Sequence, residues 1–164
     1  MVAERCFLYK VGGRLAGNRR MARERTLKKW QERWERTEGK AQWTKKLINE
    51  ISPWIRCKHK STSYFSTQFL TGHGSFSTFT YKIGKRADDQ CRRCHSQESP
   101  EHAFYECERW KRERKKLVEA IGILPKVKEL IPRMLGSKEY WDAVFHYVIE
   151  VMKRKEEEDR ENEG

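Results

Sequence analysis

The stretch from Cys91 to Cys107, CRRCHSQESPEHAFYEC, places three cysteines and two histidines within seventeen residues. Read as Cys91-x2-Cys94-x7-His102-x4-Cys107, it offers three thiolates and one imidazole, a complete tetrahedral shell for Zn2+. Cys-x2-Cys is the spacing at which one tight turn aims two sulfurs at a single ion. A shell with no open position suits a structural metal rather than a catalytic one. His95 is a rival to His102, but it directly follows Cys94 and would compress the chelate loop, so His102 is the expected ligand. Arg92 and Arg93 lie between the first two ligands and Arg109 beyond the last. Their charge favours the thiolates and therefore metal binding. The same arrangement lifts cationic side chains out of the knuckle towards a phosphate backbone. The expected contacts to nucleic acid are Lys85, Arg86, Arg92, Arg93, Arg109 and Lys111.

Other residues with chemical potential lack partners in the sequence. Cys57-x-His59 is a lone pair that reads as surface or core. His73 stands between two glycines with no nucleophile or carboxylate beside it. Asp88-Asp89 has the composition of a Mg2+-holding pair. Arg86 stands where a polymerase Tyr-x-Asp-Asp turn would carry its aromatic, so the pair reads as solvated. No Gly-rich phosphate loop, Ser/His/Asp set or second acidic cluster accompanies it, and the sequence presents no active site.

The metal ligands impose a condition on the elements that carry them. Ser99-Pro100-Glu101 is a good helix start, yet five residues of regular helix would set His102 and Cys107 about 140° apart. The helix must therefore break or distort near Cys107. Around this element the pattern is helical. Leu27, Trp30 and Trp34 form an i, i+3, i+7 stripe in a helix over 19–37, where both tryptophans read as core. Gly39 ends that helix. A short helix is expected at 2–9, and Gly12, Gly13 and Gly17 read as a loop. Helices are also expected at 43–51, stopped by Ser52-Pro53, and at 62–71. Gly72-His73-Gly74 forms a turn, and a short helix capped by Ser75 follows. Further helices run over 110–122 with Gly122 as stop, over 125–135 with an interruption at Pro132, and from Ser137 to Glu158. In the last, Trp141, Val144, Phe145, Val148, Val151 and Met152 make one apolar stripe. The fold class expected is mainly α, several amphipathic helices around a small zinc-stapled CCHC element. Its segments are 1–18, a basic Trp-containing region 19–84, the knuckle 85–109, C-terminal helices 110–155 and a charged disordered tail 156–164.

Composition narrows the function. The 164 residues carry 36 Lys+Arg against 24 Asp+Glu, a formal net charge of +12. Residues 1–46 alone hold +9 of it, which is the electrostatic footprint of a polyanion binder. No run approaches the roughly 20 apolar residues of a bilayer span, and Glu4 and Arg5 interrupt any leader-like start. Five cysteines, an odd number without a leader, argue for a reducing, intracellular compartment, nuclear or cytoplasmic.

Several blocks, in order, carry a resemblance: Arg25-Thr26-Leu27 with Trp30-Gln31-x2-Trp34, Trp43-Thr44 with Leu47-Ile48, and Pro53-Trp54. They continue with Thr67-Gln68-x-Leu70-Thr71-Gly72-His73-Gly74-x-Phe76, the Cys/His run with Glu101-His102-x2-Tyr105-Glu106-Cys107, and Met134-Leu135 before Trp141-x2-Val144. The chain resembles the C-terminal end of the second-open-reading-frame polyprotein of arthropod non-LTR (LINE-type) retrotransposons, the group inserting into ribosomal RNA genes. The x7 gap departs from the x4 gap of the retroviral nucleocapsid knuckle, so that knuckle's base-stacking details do not transfer. Ser75 also stands where most relatives have another aromatic or Cys. The resemblance implies a zinc module following a reverse transcriptase, binding element RNA or target DNA during target-primed reverse transcription. Since the parent's catalytic motifs are absent here, it also implies a truncated copy or domesticated fragment without catalysis of its own. Two rival readings are a scaffold docking onto the polymerase and an inert relic.

Overall fold

The computed structural model describes residues 15–163; the helix expected at 2–9 lies outside them. Among the described residues the chain is mainly helical and has no strand. The helices are α1 (Leu15–Arg36), α2 (Gln42–Leu47), α3 (Ile51–Arg56), α4 (Tyr64–Thr71), α5 (Ser77–Lys82), α6 (Lys111–Ile121), α7 (Val127–Gly136) and α8 (Lys138–Glu163). Between α5 and α6 lie a π-turn, His102–Glu106, and a 3-10 turn, Glu108–Trp110.

The long α8 is the spine, with α4, α6 and α7 packed along it. Its stripe is buried as its periodicity requires: Trp141, Val144, Val148, Val151 and Met152 are all in the core, joined by Tyr147. Ser137 caps it, its Oγ accepting from Tyr140 N at 3.1 Å. Helices α2 and α3 pack on α7, and α1 lies against α3 as an outer layer. Among the described side chains of α1 only Leu27 is buried. Polar hooks do the rest: Trp34 Nε1 donates to Ile48 O at 2.7 Å, Gln31 Nε2 to Asn49 O at 2.8 Å, and Ile51 N to Gln31 Oε1 at 2.9 Å.

The Gly-His-Gly turn has a steric cause. Gly72 and Gly74 adopt φ of 71° and 84°, the left-handed region that glycine tolerates. A Cβ on Gly74 would fall 1.9 Å from Gln68 Oε1, the oxygen that accepts from Ser75 N at 3.3 Å. A Cβ on Gly72 would crowd Trp43 and Pro100 at 3.3 Å each, so this turn sets α4 against the segment carrying the metal ligands.

Several expectations need correction. Gly17 belongs to α1 rather than to a loop. Trp30 is 53% exposed, because the core-facing positions of α1 are Leu27, Gln31 and Trp34. Ser52-Pro53 does not stop a helix; it sits in the first turn of α3, where the missing proline N–H is no loss. Ser75 is not the cap of α5, which starts from Phe76 without a side-chain cap. Pro132 stays inside α7 without interrupting it. The residues from 156 onward are helical to Glu163, and two of their acids, Glu158 and Asp159, are engaged with the knuckle, as described next.

Candidate metal centre

A small hairpin carries the first two cysteines. Gln90 and Gln97 form an antiparallel bridge. Cys91 N donates to Ser96 O (2.7 Å), His95 N to Cys91 O (2.8 Å) and Glu98 N to Asp89 O (2.8 Å). The acidic pair fastens this hairpin: Asp88 Oδ1 accepts from Gln90 N at 2.9 Å and Asp89 Oδ2 from Gln97 Nε2 at 2.8 Å. His95 closes the Cys-x2-Cys turn at φ 55°, with its side chain exposed.

The other two ligands come from the distorted helix that the spacing demanded. Cys107 N donates to His102 O at 2.8 Å, the i→i+5 bond of a π-turn, which brings Cys107 back over His102. Arg114, from α6, holds the end of this turn by donating to Glu106 O at 3.3 Å and Cys107 O at 3.1 Å. Tyr147 Oη holds its middle, donating to Phe104 O at 2.9 Å.

The four ligand atoms of Cys91, Cys94, His102 and Cys107 lie within 4.8 Å of one another and could hold a metal ion; among the described residues no other group of three or more does so. The sulfur of Cys107 is 3.7 Å from that of Cys91 and 3.8 Å from that of Cys94. His102 is buried, with Nδ1 facing Ser96 Oγ at 3.4 Å and Glu106 Oε2 at 3.5 Å. Its Nε2 is buried without any hydrogen-bond partner. A buried imidazole nitrogen left unpaired costs free energy; an ion among the sulfurs satisfies it, while Ser96 and Glu106 orient the ring from behind. Burial pushes the Cys91 thiol up, but the N–H groups of Cys94 and Arg93, with His102 and Cys107, outweigh it and bring the pKa down to about 7. Burial dominates at Cys107 and raises it to about 12 despite the Arg109 N–H. A cation would displace that proton.

His95 lies outside this cluster, and Cys57-x-His59 is structural: His59 Nε2 pairs with Met134 O at 3.0 Å and the ring packs edge-on to Trp141. His102→Ala should therefore abolish retention of the metal, and His95→Ala should keep it, as measured by elemental analysis after gel filtration. Metal kept by the first variant and lost by the second would reverse the assignment.

The six expected phosphate contacts divide. Lys85, Arg92 and Arg93 are exposed and form no salt bridge among the described residues, although Arg92 acts on Asp159 through its charge. Lys111 is exposed and faces Glu108 at 3.2 Å. Arg86 and Arg109 are turned inward. Arg86 lies 3.9 Å from Asp159; Arg109 pairs with Glu158, lies 3.9 Å from Glu98 and stacks 4.7 Å over the Trp110 ring. Both tie the end of α8 to the knuckle. Lys85, Arg86, Arg92 and His95 share a cleft of about 440 Å³ with Asp88 and Asp159. Sequence reasoning missed the buried Glu98–Lys155 pair, 2.6 Å apart, because the partners are 57 positions apart.

Comparison of the chain with protein-family models, with curated proteins and with solved structures finds no match. No helix among the described residues is long and apolar enough to cross a membrane.

Proposed function

We propose that the chain is a non-catalytic nucleic-acid-binding zinc module, the C-terminal part of a non-LTR retrotransposon reverse transcriptase polyprotein, working inside the cell on RNA or DNA. The sequence resemblance supplies the family. Zinc is the metal this donor set favours, since three thiolates and an imidazole suit it. Sulfurs about 2.3 Å from a tetrahedral Zn2+ sit about 3.8 Å apart, in line with the 3.7 and 3.8 Å separations here. The ion would be held by Cys91, Cys94, His102 and Cys107 and would supply rigidity rather than chemistry. Asp88 and Asp89, committed to hairpin hydrogen bonds, serve as fasteners in this reading.

The observation that carries the binding role is the exposure of Arg92 and Arg93 in the turn of a hairpin that carries two of the four ligands, Cys91 and Cys94, with Lys85 exposed shortly before it. Exposed cations on a rigid support lose little entropy on meeting phosphates. With no recognition helix evident, single-stranded or structured RNA is the favoured partner over sequence-specific duplex. Binding should fall with salt, at a log–log slope of about −0.7 per phosphate neutralised on single strands. Arg92→Ala with Arg93→Ala should flatten that slope by about 1.4 without loss of helicity. Absence of salt-dependent binding by the wild-type chain to either RNA or DNA would remove the proposal and favour a protein-docking scaffold.

A further inference from the structure

The outer helix α1 carries eight basic residues against three acidic ones, and they are sorted around its circumference. At 100° per residue, Arg19, Arg23, Thr26, Trp30 and Arg33 fall within an arc of about 80°. Glu24, Glu32 and Glu35 fall on the opposite side. Those acids are engaged there, Glu24 with Arg56, Glu32 with Arg36 at 3.6 Å and Glu35 with Gln31 Nε2 at 3.0 Å. Among the described residues none of Arg19, Arg23 and Arg33 forms a salt bridge, and all three are exposed. In their midst Trp30 keeps 53% of its surface in solvent, although its helix has a buried position at Leu27 and a half-buried Trp34. A large aromatic held open between unpaired guanidinium groups is what a single strand needs: a stacking platform for a base and cations for the phosphates on either side.

We infer that the acid-free face of α1, centred on Trp30, is a second binding surface for single-stranded nucleic acid, separate from the metal knuckle. The inference rests on the nucleic-acid reading above and extends it to a different element. From Arg19 to Arg33 the face runs about 21 Å along the helix axis, enough for about six nucleotides at the 3.4 Å spacing of stacked bases. Charge gives the face affinity for any polyanion; the indole, which offers stacking that paired bases cannot accept without unstacking, gives the preference for single strands.

The test uses the full, metal-loaded chain with a 15-nucleotide oligo-U RNA and a 15-base-pair duplex DNA as probes, and fluorescence anisotropy as readout. Trp30→Ala should weaken oligo-U binding about 5- to 150-fold, leave duplex affinity within about twofold, and leave far-UV circular dichroism unchanged. Trp30→Phe should recover most of the loss, whereas Trp30→Leu, equally apolar but without a π-face, should not. Arg19, Arg23 and Arg33 changed together to Ala should flatten the salt slope on oligo-U by about 2 units. Unchanged oligo-U affinity and slope in these variants, with wild-type binding intact and Arg92/Arg93 replacement still effective, would overturn the inference while sparing the knuckle reading. Equal losses on RNA and duplex would show a backbone-only surface and overturn the single-strand assignment. No binding by the wild type would remove both.

Discussion

Cys107→Ser is expected to strip the metal from the chain and to loosen residues 85–122, the largest single effect of any conservative change. The substitution replaces a sulfur by an oxygen, so the smaller side chain and its buried hydroxyl alone predict a loss of only about 1–3 kcal/mol. The metal predicts much more: structural Zn2+ contributes about 10–16 kcal/mol of apparent binding energy in finger peptides, as much as the whole stability of an ordinary domain. Cys107 is fully buried in the main core cluster beside Phe104 and Trp110, so its site cannot open without disturbing α6 and α8. With no cation the buried pocket must hold a thiol raised to about 12 and an unpaired imidazole nitrogen. Elemental analysis should give one Zn2+ per wild-type chain and none for the variant, and hydrogen exchange should accelerate across 85–122. Cys57→Ser, outside the cluster, should do neither. Because the ligands bind metal in deprotonated form, loading should weaken as pH falls. A Cys107→Ser chain with wild-type exchange protection would show that the four residues are merely packed together.

The knuckle was the most legible part of the chain because its constraint is local. Four ligands at fixed spacings and a 140° mismatch on a regular helix leave few solutions, and the π-turn at His102–Glu106 is one of them. Helix α8 was legible for a related reason: Trp141, Val144, Val148, Val151 and Met152 repeat at the helical period and face one core. What the sequence did not disclose depends on partners far away. The charged run after Met152 has no apolar position, so periodicity alone ends the helix in solvent. Its continuation is held by Lys155 to Glu98, Glu158 to Arg109 and Asp159 to Arg86. Pro53 is ambiguous in sequence because proline is tolerated in a first helical turn and also ends helices, two roles that one sequence cannot separate. Spacing alone puts Trp30 on the core stripe, but the face of α1 turned inward is centred on Leu27, Gln31 and Trp34 and leaves Trp30 at its edge.

Lys155→Ala should destabilise the chain by about 3–5 kcal/mol, because it leaves a carboxylate in the core without its main partner. Lys155 Nζ and Glu98 Oε1 are 2.6 Å apart, and each side chain is only 2% exposed. Glu98 Oε2 accepts from the Ser77 hydroxyl and, at 3.3 Å, from Ser77 N, and Glu98 O accepts from Thr78 N at 3.3 Å. One residue thus joins the start of α5, the knuckle hairpin and the end of α8. For a domain of this size the loss corresponds to a Tm lower by about 6–20 °C. The double change Glu98→Gln with Lys155→Met should recover most of it, since neutral groups need no partner charge. The pH dependence gives an independent check. Burial works to raise the Glu98 carboxyl, but Lys155, then Ser77 and Arg109, outweigh it and hold it below its ordinary value of 4.5. Its contribution is therefore complete above about pH 4.5 and is lost as pH falls through the lowered folded value. In Lys155→Ala burial remains while the principal counter-charge is gone, so the folded value moves up and the acid-side loss shrinks or inverts. Denaturant unfolding at pH 3 and pH 7 should show a smaller pH difference in the variant than in the wild type. Equal pH dependence in the two chains would mean that Glu98 and Lys155 are not a buried ion pair, and that α8 is held to the knuckle by its apolar stripe with Arg86 and Arg109.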